Sequence, residues 1–531
     1  MAFEFCGAEA SVLGEDWVRI YQTAEDVGFQ REHFEQAMDN VIRHPNINST
    51  VLLRADILAE KEYDCQTGEV VREGECEAAA AVAEGMLSVG LEDVKPRSAS
   101  TALGLEVKLE FVRRLVPRNP YKDALINQTC LVLNTREPSE TALVVYLPHF
   151  DERELCPFYI PPVAAVGILL HERRLSVHYI PFAGDRAELG DETQRAVRTA
   201  KRLLQTAAKH STGCMNGYTK RVDHDVVVNK VLFQERYIQL KKTYSQWLVD
   251  NWAESTDPRK HVFEDIAIAA FLIELWRKIY GEDSKDKFRF CDMGCGNGVL
   301  CYILLMEGYA GEGIDARRRK SWSVFPDNVR SCLREQLVIP SLLLRPHPEM
   351  RKMASHMEHN GSFFPVQVSS SQLIAPATIV YSAADLLNSP QVNIAEFPPN
   401  TFLIGNHSDE LTCWIPLLGQ PFMVIPCCSH NFHGARVRYR PSRESAAKLG
   451  NSTYAGLVDY VEYLAKAVGW ETEKEMLRIP STRNAAIIGY KNPALGQFPT
   501  QHVYDEVLKN GGAEGWIQSA MALLKGAPKS H

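Results

Sequence analysis

The stretch that decides the fold runs from Phe288 to Gly298 and reads Phe-Arg-Phe-Cys-Asp-Met-Gly-Cys-Gly-Asn-Gly. Its apolar first half predicts a short buried strand, and its alternating glycines predict a turn that opens a helix. We expect that helix over Val299 to Glu307 and a second strand that ends at Asp315. Glycines let a ligand approach the backbone closely, and an acid at the end of the second strand can bind a ribose hydroxyl. The stretch therefore predicts a nucleotide-cofactor site.

The spacing of the glycines narrows the choice of cofactor. It is G-x-G-x-G, whereas turns that bind dinucleotides carry G-x-G-x-x-G. Asp292 stands two residues before the first glycine, where its charge would repel a pyrophosphate and attract an α-amino group. This favours S-adenosylmethionine over NAD, and a strand-turn-helix without a ligand is the remaining alternative. The residues expected to contact the cofactor are Asp292, Gly294, Cys295, Gly296, Asn297, Gly298 and Asp315.

One further cofactor contact is expected at Asp385, which follows a strand predicted over 377–381. In a parallel sheet the carboxyl end of each strand faces the ligand. The Asp385 carboxylate could accept a hydrogen bond from the adenine amino group. Capping a helix is the alternative role for this residue.

Composition limits the broad class of the protein. The 531 residues predict more than one domain, and 45% hydrophobic residues are enough for a large core. No apolar run is long enough to span a bilayer, and Met1 to Trp17 lacks the layout of a signal peptide. Thirteen scattered cysteines are typical of reduced thiols. We therefore expect a cytoplasmic protein that has no membrane partner.

The net charge of −8 opposes binding to nucleic acid unless the protein has a local basic face. Arg317 to Lys320 form one continuous basic run. Arg436, Arg438 and Arg440 fall on alternate residues, so one face of a strand would carry all three. The alternative for either group is a solvated surface hairpin.

The chain is expected to divide into three parts. Residues 1–210 form a separate N-terminal α+β region, and residues 211–280 contain a linker and two lead-in helices. Residues 281–531 alternate strands with helices, which predicts an α/β fold with a parallel sheet covered on both faces. Predicted strands of the first part cover 101–114, 129–134, 141–147, 164–170 and 175–181, and its predicted helices cover 30–42 and 191–208. The Gly-, Ser- and Asn-rich segment 210–223 is the predicted linker.

Polar residues follow the strand predicted over Thr401 to Gly405, at the edge where such sheets bind ligands. Asn406 could orient a nucleophile, and His407 or Asp409 could accept its proton. The alternative is a helix start with an acidic first turn. Asn406, His407 and Asp409 are the expected catalytic residues.

Two cysteines and two histidines follow the next predicted strand, at Cys427, Cys428, His430 and His433. Such a group is compatible with a zinc site. Adjacent cysteine side chains diverge in an extended chain, however, so one ion is seldom bound by both. We expect no metal and favour a role in packing and in shaping a substrate site.

Several blocks of sequence, taken in order, carry a resemblance to a known family. The glycine turn resembles motif I of class I methyltransferases. The further blocks are Leu109 to Pro120, Lys220 to Val226, Thr256 to Ile266, Gly313 to Trp322, Ile404 to Thr412, Ile425 to Cys428 and Leu477 to Arg483. Together they resemble the eukaryotic tRNA (uracil-2′-O)-methyltransferases that modify uridine-44 of serine tRNA. Ser429 to Gly434 is richer in histidine than the family pattern.

The resemblance implies a Rossmann-like class I methyltransferase sheet that uses S-adenosylmethionine. It implies methyl transfer to the 2′-hydroxyl of a uridine in serine tRNA, no DNA partner, and a tRNA-binding or accessory N-terminal region. Basic residues would hold phosphates without reading sequence. They are Arg317, Arg318, Arg319, Lys320, Arg478 and Arg483. The alternatives are a methyltransferase of another RNA or of a protein, and an RNA-binding scaffold with a relic cofactor site.

Overall fold

The computed structural model describes residues 1–64, 67–74, 90–135, 140–218, 224–343, 388–492, 501–513 and 515–523. The chain forms two compact units, Met1–Thr219 and Lys220–His531. Among the described helices, none combines the length and the apolar character that crossing a bilayer requires.

The first unit is built on one nine-stranded antiparallel sheet with the strand order β1-β2-β9-β8-β7-β6-β5-β3-β4. Its strands are β1 Phe3–Ser11, β2 Gly14–Thr23, β3 Leu52–Tyr63, β4 Val70–Gly74, β5 Glu106–Pro117, β6 Ile126–Asn134, β7 Ala142–Pro148, β8 Ala165–His171 and β9 Arg174–Ile180. Helices α1 Arg31–Arg43 and α2 Arg195–Met215 share one buried core with the sheet, which includes Phe34, Leu204 and Val144.

The second unit contains eight described helices. They are α3 Lys230–Asp250, α4 Pro258–Tyr280, α5 Val299–Met306, α6 Asp327–Arg330, α7 Arg443–Leu449, α8 Thr453–Ala467, α9 Gln501–Lys509 and α10 Trp516–Leu523. Its described strands are β10 Arg289–Met293, β11 Gly311–Asp315, β12 Leu333–Glu335, β13 Leu337–Val338, β14 Val392–Asn393, β15 Thr401–Asn406, β16 Phe422–Ile425, β17 Glu471–Met476 and β18 Ala485–Lys491.

The order of the seven-stranded sheet places a ligand crevice at its centre. The order is β12-β11-β10-β15-β16-β18-β17, in which the first five strands are parallel and β18 is antiparallel to both neighbours. From β10 the chain proceeds outward on one side through β11, and it later returns to the other side of β10 at β15. Such a reversal opens a crevice beyond the carboxyl ends of the two central strands. Asp292 of β10 pairs with both Gly313 and Ile404, so it lies at this point.

Helix α4 leads into the sheet and is buried on nearly all sides. Asp257 caps it by accepting a hydrogen bond from the Arg259 amide at 2.9 Å, and Pro258 occupies the first turn. This cap fixes the start of the helix at Pro258. A helix that is buried all round normally carries apolar residues, yet α4 also buries Glu264 and Asp265.

The predicted α/β class and the strand-turn-helix around the glycines are confirmed. The five strands and two helices expected in the first unit are also present, with ends that shift by a few residues. Helix α2 continues to Met215 because Ala207, Ala208 and Ser211 extend its buried face, so residues 210–215 are helical and not linker. The strand expected over 377–381 and Asp385 lie outside the described residues.

Candidate functional site

A cavity of about 630 Å³ lies where the strand order predicts a crevice. The segments that follow β10, β11, β15 and β16 line it together with residues 254–265 before and within α4. Arg483 and residues of α10 complete the wall. A cavity of this size is typical of a small-molecule or cofactor site.

The three glycines of the turn have different roles. All have positive φ, at +82° for Gly294, +51° for Gly296 and +76° for Gly298. A Cβ at Gly296 would meet no atom within 4 Å, and this residue lines the cavity, so its backbone is open to a ligand. A Cβ at Gly298 would lie 3.2 Å from side-chain atoms of Leu333 and Trp322. Gly298 is therefore needed for packing, and the prediction that it contacts the cofactor is not supported.

Asp315 ties the glycine turn to the end of β11. Its Oδ2 accepts a hydrogen bond from the Gly296 amide at 2.9 Å, and its Oδ1 accepts one from the Arg317 amide at 3.0 Å. A carboxylate has about four acceptor positions, so Asp315, which lines the cavity, retains capacity for a ligand hydroxyl.

Asp292 is buried beneath the turn, is 1% exposed and is not among the residues that line the cavity. The Cys301 thiol donates to its Oδ2 at 3.5 Å, whereas Oδ1 is buried without a hydrogen-bond partner. Burial raises the pKa of Asp292 to about 7, the Cys301 hydrogen bond opposes this rise, and the charge of Asp315 adds to it. A buried carboxylate without a cation is costly, so a positively charged ligand group would be favoured here.

A second buried acid, Asp265 of α4, lines the cavity and was not predicted as a site residue. Asn406 Nδ2 donates to Asp265 Oδ1 at 3.1 Å. Burial, followed by the charges of Glu264 and Asp292, raises the pKa of Asp265 well above its usual value. Hydrogen bonds from Asn297 and Asn406 oppose that rise. The available sequence signal was the pair of adjacent acids inside the run Val262 to Ile273, which is otherwise apolar.

The three predicted catalytic residues lie together at the end of β15 and line the cavity. His407 Nε2 lies 3.1 Å from Oε1 of Glu264, and Asn406 Oδ1 is buried without a hydrogen-bond partner. His407 and Asp409 have φ values of +52° and +46°, which are strained for residues other than glycine. Backbone strain of this kind is concentrated at functional sites.

The alternative of a helix start at this segment is correct only in part. A 3₁₀ helix covers Asp409–Leu411, but the Ser408 side chain makes no capping hydrogen bond. A Cβ on Gly294 would lie 3.4 Å from Ser408 Cα, so the loop after β15 packs directly against the glycine turn. The two loops therefore form one continuous wall.

The cysteine pair after β16 lies beside Asp409 and not beside the histidines. Cys427 Sγ donates to Asp409 Oδ1 at 3.0 Å, and burial followed by the Asp409 charge raises the pKa of Cys427. In the described part of the chain, the group close enough to hold a metal ion is Asp409, Cys427 and Cys428, with ligand atoms within 4.8 Å of one another. His430 lies 3.9 Å from Glu410, and His433 lies 3.1 Å from the Gly511 carbonyl. A zinc site that joins both cysteines to both histidines is therefore not formed.

The fold places only some of the basic residues that are expected to hold phosphates at the cavity. Arg317, Arg319, Lys320 and Arg483 line the cavity, but Arg318 does not. Arg478 forms a bidentate ion pair with Asp225, with N–O distances of 2.9 and 2.5 Å. Its guanidinium therefore holds two distant segments of the chain together, and its predicted phosphate contact is not supported.

The cavity and the acid buried beneath its glycine turn fit S-adenosylmethionine on three observations. Gly296 leaves open space above its backbone, and the buried acceptors Asp292 Oδ1 and Asn406 Oδ1 have no donor. Asp265 adds a buried carboxyl to the same wall. Buried acceptors without donors suit a cationic group with several N–H bonds, such as an α-ammonium.

Comparison with known proteins identifies the family of the chain. A family model described as a TRM44-like, N-terminal bet v1-like domain matches residues 4–221, and one described as a predicted AdoMet-dependent methyltransferase matches residues 227–340. The tRNA (uracil-O(2)-)-methyltransferase of Eremothecium gossypii is 89% identical over 531 residues and covers 100% of both chains. The enzymes of that name from Saccharomyces cerevisiae and Schizosaccharomyces pombe are 60% and 37% identical, covering 100% and 97% of this chain and 96% and 94% of theirs. No solved structure matches the chain. The chain therefore belongs to the S-adenosylmethionine-dependent tRNA (uracil-O(2)-)-methyltransferase family.

Proposed function

We propose that the protein methylates the ribose 2′-hydroxyl of a uridine in tRNA, and that this nucleotide is position 44 of serine tRNA. One observation carries the proposal: a single cavity joins the acid-rich glycine turn to a polar edge of Asn406, His407 and Asp409. Arginine and lysine side chains stand at the same cavity, as a polyanionic substrate requires. The choice of serine tRNA rests on the family resemblance of the sequence blocks.

The buried acids are proposed to hold the methionine end of S-adenosylmethionine. Asp265 and Asp292 would share the positive charge of the α-amino group, and Asp315 would bind a ribose hydroxyl. The Gly296 backbone would lie against the cofactor, and Cys295 and Asn297 line the same wall. Contact of Asp385 with the adenine stays a prediction. The cofactor supplies a methyl group that is already electrophilic because it is attached to a sulfonium.

The polar edge is proposed to position and deprotonate the 2′-hydroxyl. A ribose hydroxyl is a poor nucleophile at neutral pH, so orientation and a general base both accelerate its attack. If His407 Nε2 donates its proton to Glu264, Nδ1 is left free to accept a proton from the substrate. A base held in one tautomer by a carboxylate is a recurrent catalytic arrangement. Asp409 is the second candidate for the base, and Asn406 would orient the hydroxyl.

The experiment that tests the proposed function measures transfer from labelled S-adenosylmethionine to unmodified serine tRNA, followed by identification of the product nucleosides. The expected product is 2′-O-methyluridine at position 44, and it should be absent when that uridine is replaced by 2′-deoxyuridine. Label in another tRNA, or in a protein added to the same reaction, would indicate another substrate. Cofactor binding without transfer to any RNA would contradict the proposal.

The role of the polar edge is tested with Asp409→Ala. Turnover should fall about 100-fold or more, as expected when a general base or an orienting group is removed. Cofactor affinity measured by calorimetry should stay unchanged, because the acids that hold the cofactor are intact. Glu444→Ala removes an exposed acid of α7 and serves as the control. Normal turnover of Asp409→Ala would leave His407 as the candidate base.

A further inference from the structure

Three arginines form an ordered strip close to the cavity. Arg436, Arg438 and Arg440 are exposed, whereas Val437 and Tyr439 between them are half-buried. This alternation indicates an extended chain with the three guanidinium groups on one side. Alternate residues of an extended chain lie about 6.6 Å apart. We call these three residues the arginine strip.

The backbone of the arginine strip is firmly held. Arg436 pairs with His430 in an antiparallel bridge, and the Val437 amide donates to the Ser429 carbonyl at 3.0 Å. The Tyr439 hydroxyl donates to the His430 carbonyl at 2.9 Å, and its ring stacks on Tyr460 of α8 at 4.1 Å. The strip is therefore preorganised, which reduces the entropy lost when a ligand binds.

The charges of the arginine strip are not compensated. Among the described residues, no ion pair or hydrogen bond involves any of the three side chains, and each stands exposed. Two other exposed arginines of this unit are paired with acids, Arg330 with Asp327 and Arg334 with Glu312. In a chain of net charge −8, three uncompensated arginines on one side form a local basic face.

The arginine strip begins near the rim of the cavity. Cys428 lines the cavity, and burial is the main cause that raises the pKa of its thiol. The positive charge of Arg436 opposes that rise. Ser429, which follows Cys428 in the chain, accepts a hydrogen bond from the Val437 amide at 3.0 Å, so the backbone itself places Arg436 close to Cys428. A strand of nucleic acid whose target nucleotide entered the cavity would therefore have its neighbouring phosphates close to the strip.

We propose that the arginine strip binds successive phosphates of the tRNA strand next to the target nucleotide. This inference rests on the proposed function. The spacing of the strip is close to that between successive phosphates along one nucleic-acid strand. Guanidinium groups bind phosphate oxygens through paired N–H donors. Contacts of this kind position the strand and carry no base specificity.

The test compares two variants that each lose three positive charges. One is Arg436→Gln/Arg438→Gln/Arg440→Gln. The control, Arg330→Gln/Arg334→Gln/Lys448→Gln, removes cations that are each paired with an acid. Affinity for unmodified serine tRNA is measured between 50 and 200 mM salt, together with cofactor affinity and turnover at saturating tRNA.

In the strip variant, the plot of log affinity against log salt concentration should be less steep by about 2 to 3, because three phosphate contacts are lost. Cofactor affinity and saturated turnover should stay within about twofold of wild type, and the control should change the slope by less than about 1. An unchanged slope, or the same loss of slope in both variants, would overturn the proposal for the strip while leaving the proposed function intact. If wild-type protein neither binds nor methylates tRNA, the proposed function itself fails.

Discussion

Both units bury charged side chains, but a buried acid of the first unit is paired with arginines, whereas two buried acids near the glycine turn of the second unit are not. In the first unit Asp56 contacts Arg54 at 2.6 Å and Arg114 at 2.8 Å, and all three side chains are at most 1% exposed. In the second unit Asp265 and Asp292 are buried, and neither forms an ion pair with Lys or Arg in the described part of the chain. Paired buried charges are part of the fold, whereas buried acids without cations mark a place for a cationic ligand.

Sheet type explains why polar residues collect at one edge of the second unit. In a parallel sheet the carboxyl ends of all strands lie at one edge, so the loops that follow them converge. An antiparallel sheet of hairpins distributes its loops over both ends. The loops after β10, β11, β15 and β16 therefore line one cavity, and polar residues far apart in sequence become neighbours there.

The largest effect is expected from Asp56→Ala in the first unit. Removing one partner of a buried ion pair costs about 3–5 kcal/mol, because Arg54 and Arg114 lose the carboxylate that both contact. Denaturant unfolding measures this loss, and the protein that remains folded should bind S-adenosylmethionine normally. Asp39→Ala, which removes a partly exposed partner of Arg43, should cost at most about 1 kcal/mol. Equal losses for the two variants would show that the buried ion pairs of Asp56 stabilise the fold no more than a partly exposed pair does.

A different outcome is expected from Asp292→Asn in the second unit. The variant keeps the shape of the side chain but removes its charge, so cofactor affinity should fall about 10- to 100-fold. Its thermal stability above pH 7 should be unchanged or higher, because no cation loses a partner. Calorimetry and thermal unfolding measure the two effects. Normal cofactor affinity would remove Asp292 from the binding site.

A smaller effect is expected when Asp265 and Glu264, adjacent on α4, are changed separately. Asp265→Asn should weaken cofactor binding about tenfold, since one acceptor for the cation becomes neutral. Glu264→Gln should lower turnover and leave cofactor affinity unchanged, since it contacts His407. Steady-state kinetics and calorimetry separate these outcomes. The same defect in both variants would indicate that α4 acts as a single structural support.

The smallest effect is a pH dependence of cofactor affinity. Because the pKa of Asp292 is about 7, its carboxylate is mostly neutral at pH 6 and mostly ionised at pH 8. Affinity for a cation should therefore rise about tenfold from pH 6 to pH 8, and Asp292→Asn should abolish this rise. In the ligand-free protein the folded state binds this proton more tightly than the unfolded state, so Asp292 lowers stability as pH rises from about 4 to 7. Affinity independent of pH would show that Asp292 does not titrate on binding.

Strand β3 of the first unit shows why some strands were not predicted from the sequence. In β3 the inward positions hold Leu52, Arg54, Asp56 and Leu58, so two charges interrupt the apolar alternation that indicates a strand. The charges are tolerated because Arg54 and Asp56 pair with each other and because Asp56 gains a second partner from a neighbouring strand, Arg114 of β5. That second partner lies 58 residues away and leaves no local trace in the sequence.

The sequence by itself determined the glycine turn, the strand that precedes it, the polar edge at Asn406 to Asp409 and the family. These features depend on neighbours within a few residues, such as glycine spacing, apolar runs and helix caps. The tertiary structure alone decided which side chains meet. It brought Asp265 to Asn406 across 141 residues and paired Arg478 with Asp225 across 253. It also packed Gly298 closely against Leu333 and Trp322. Contacts between distant residues depend on how the strands are ordered and packed, and no local pattern contains that information.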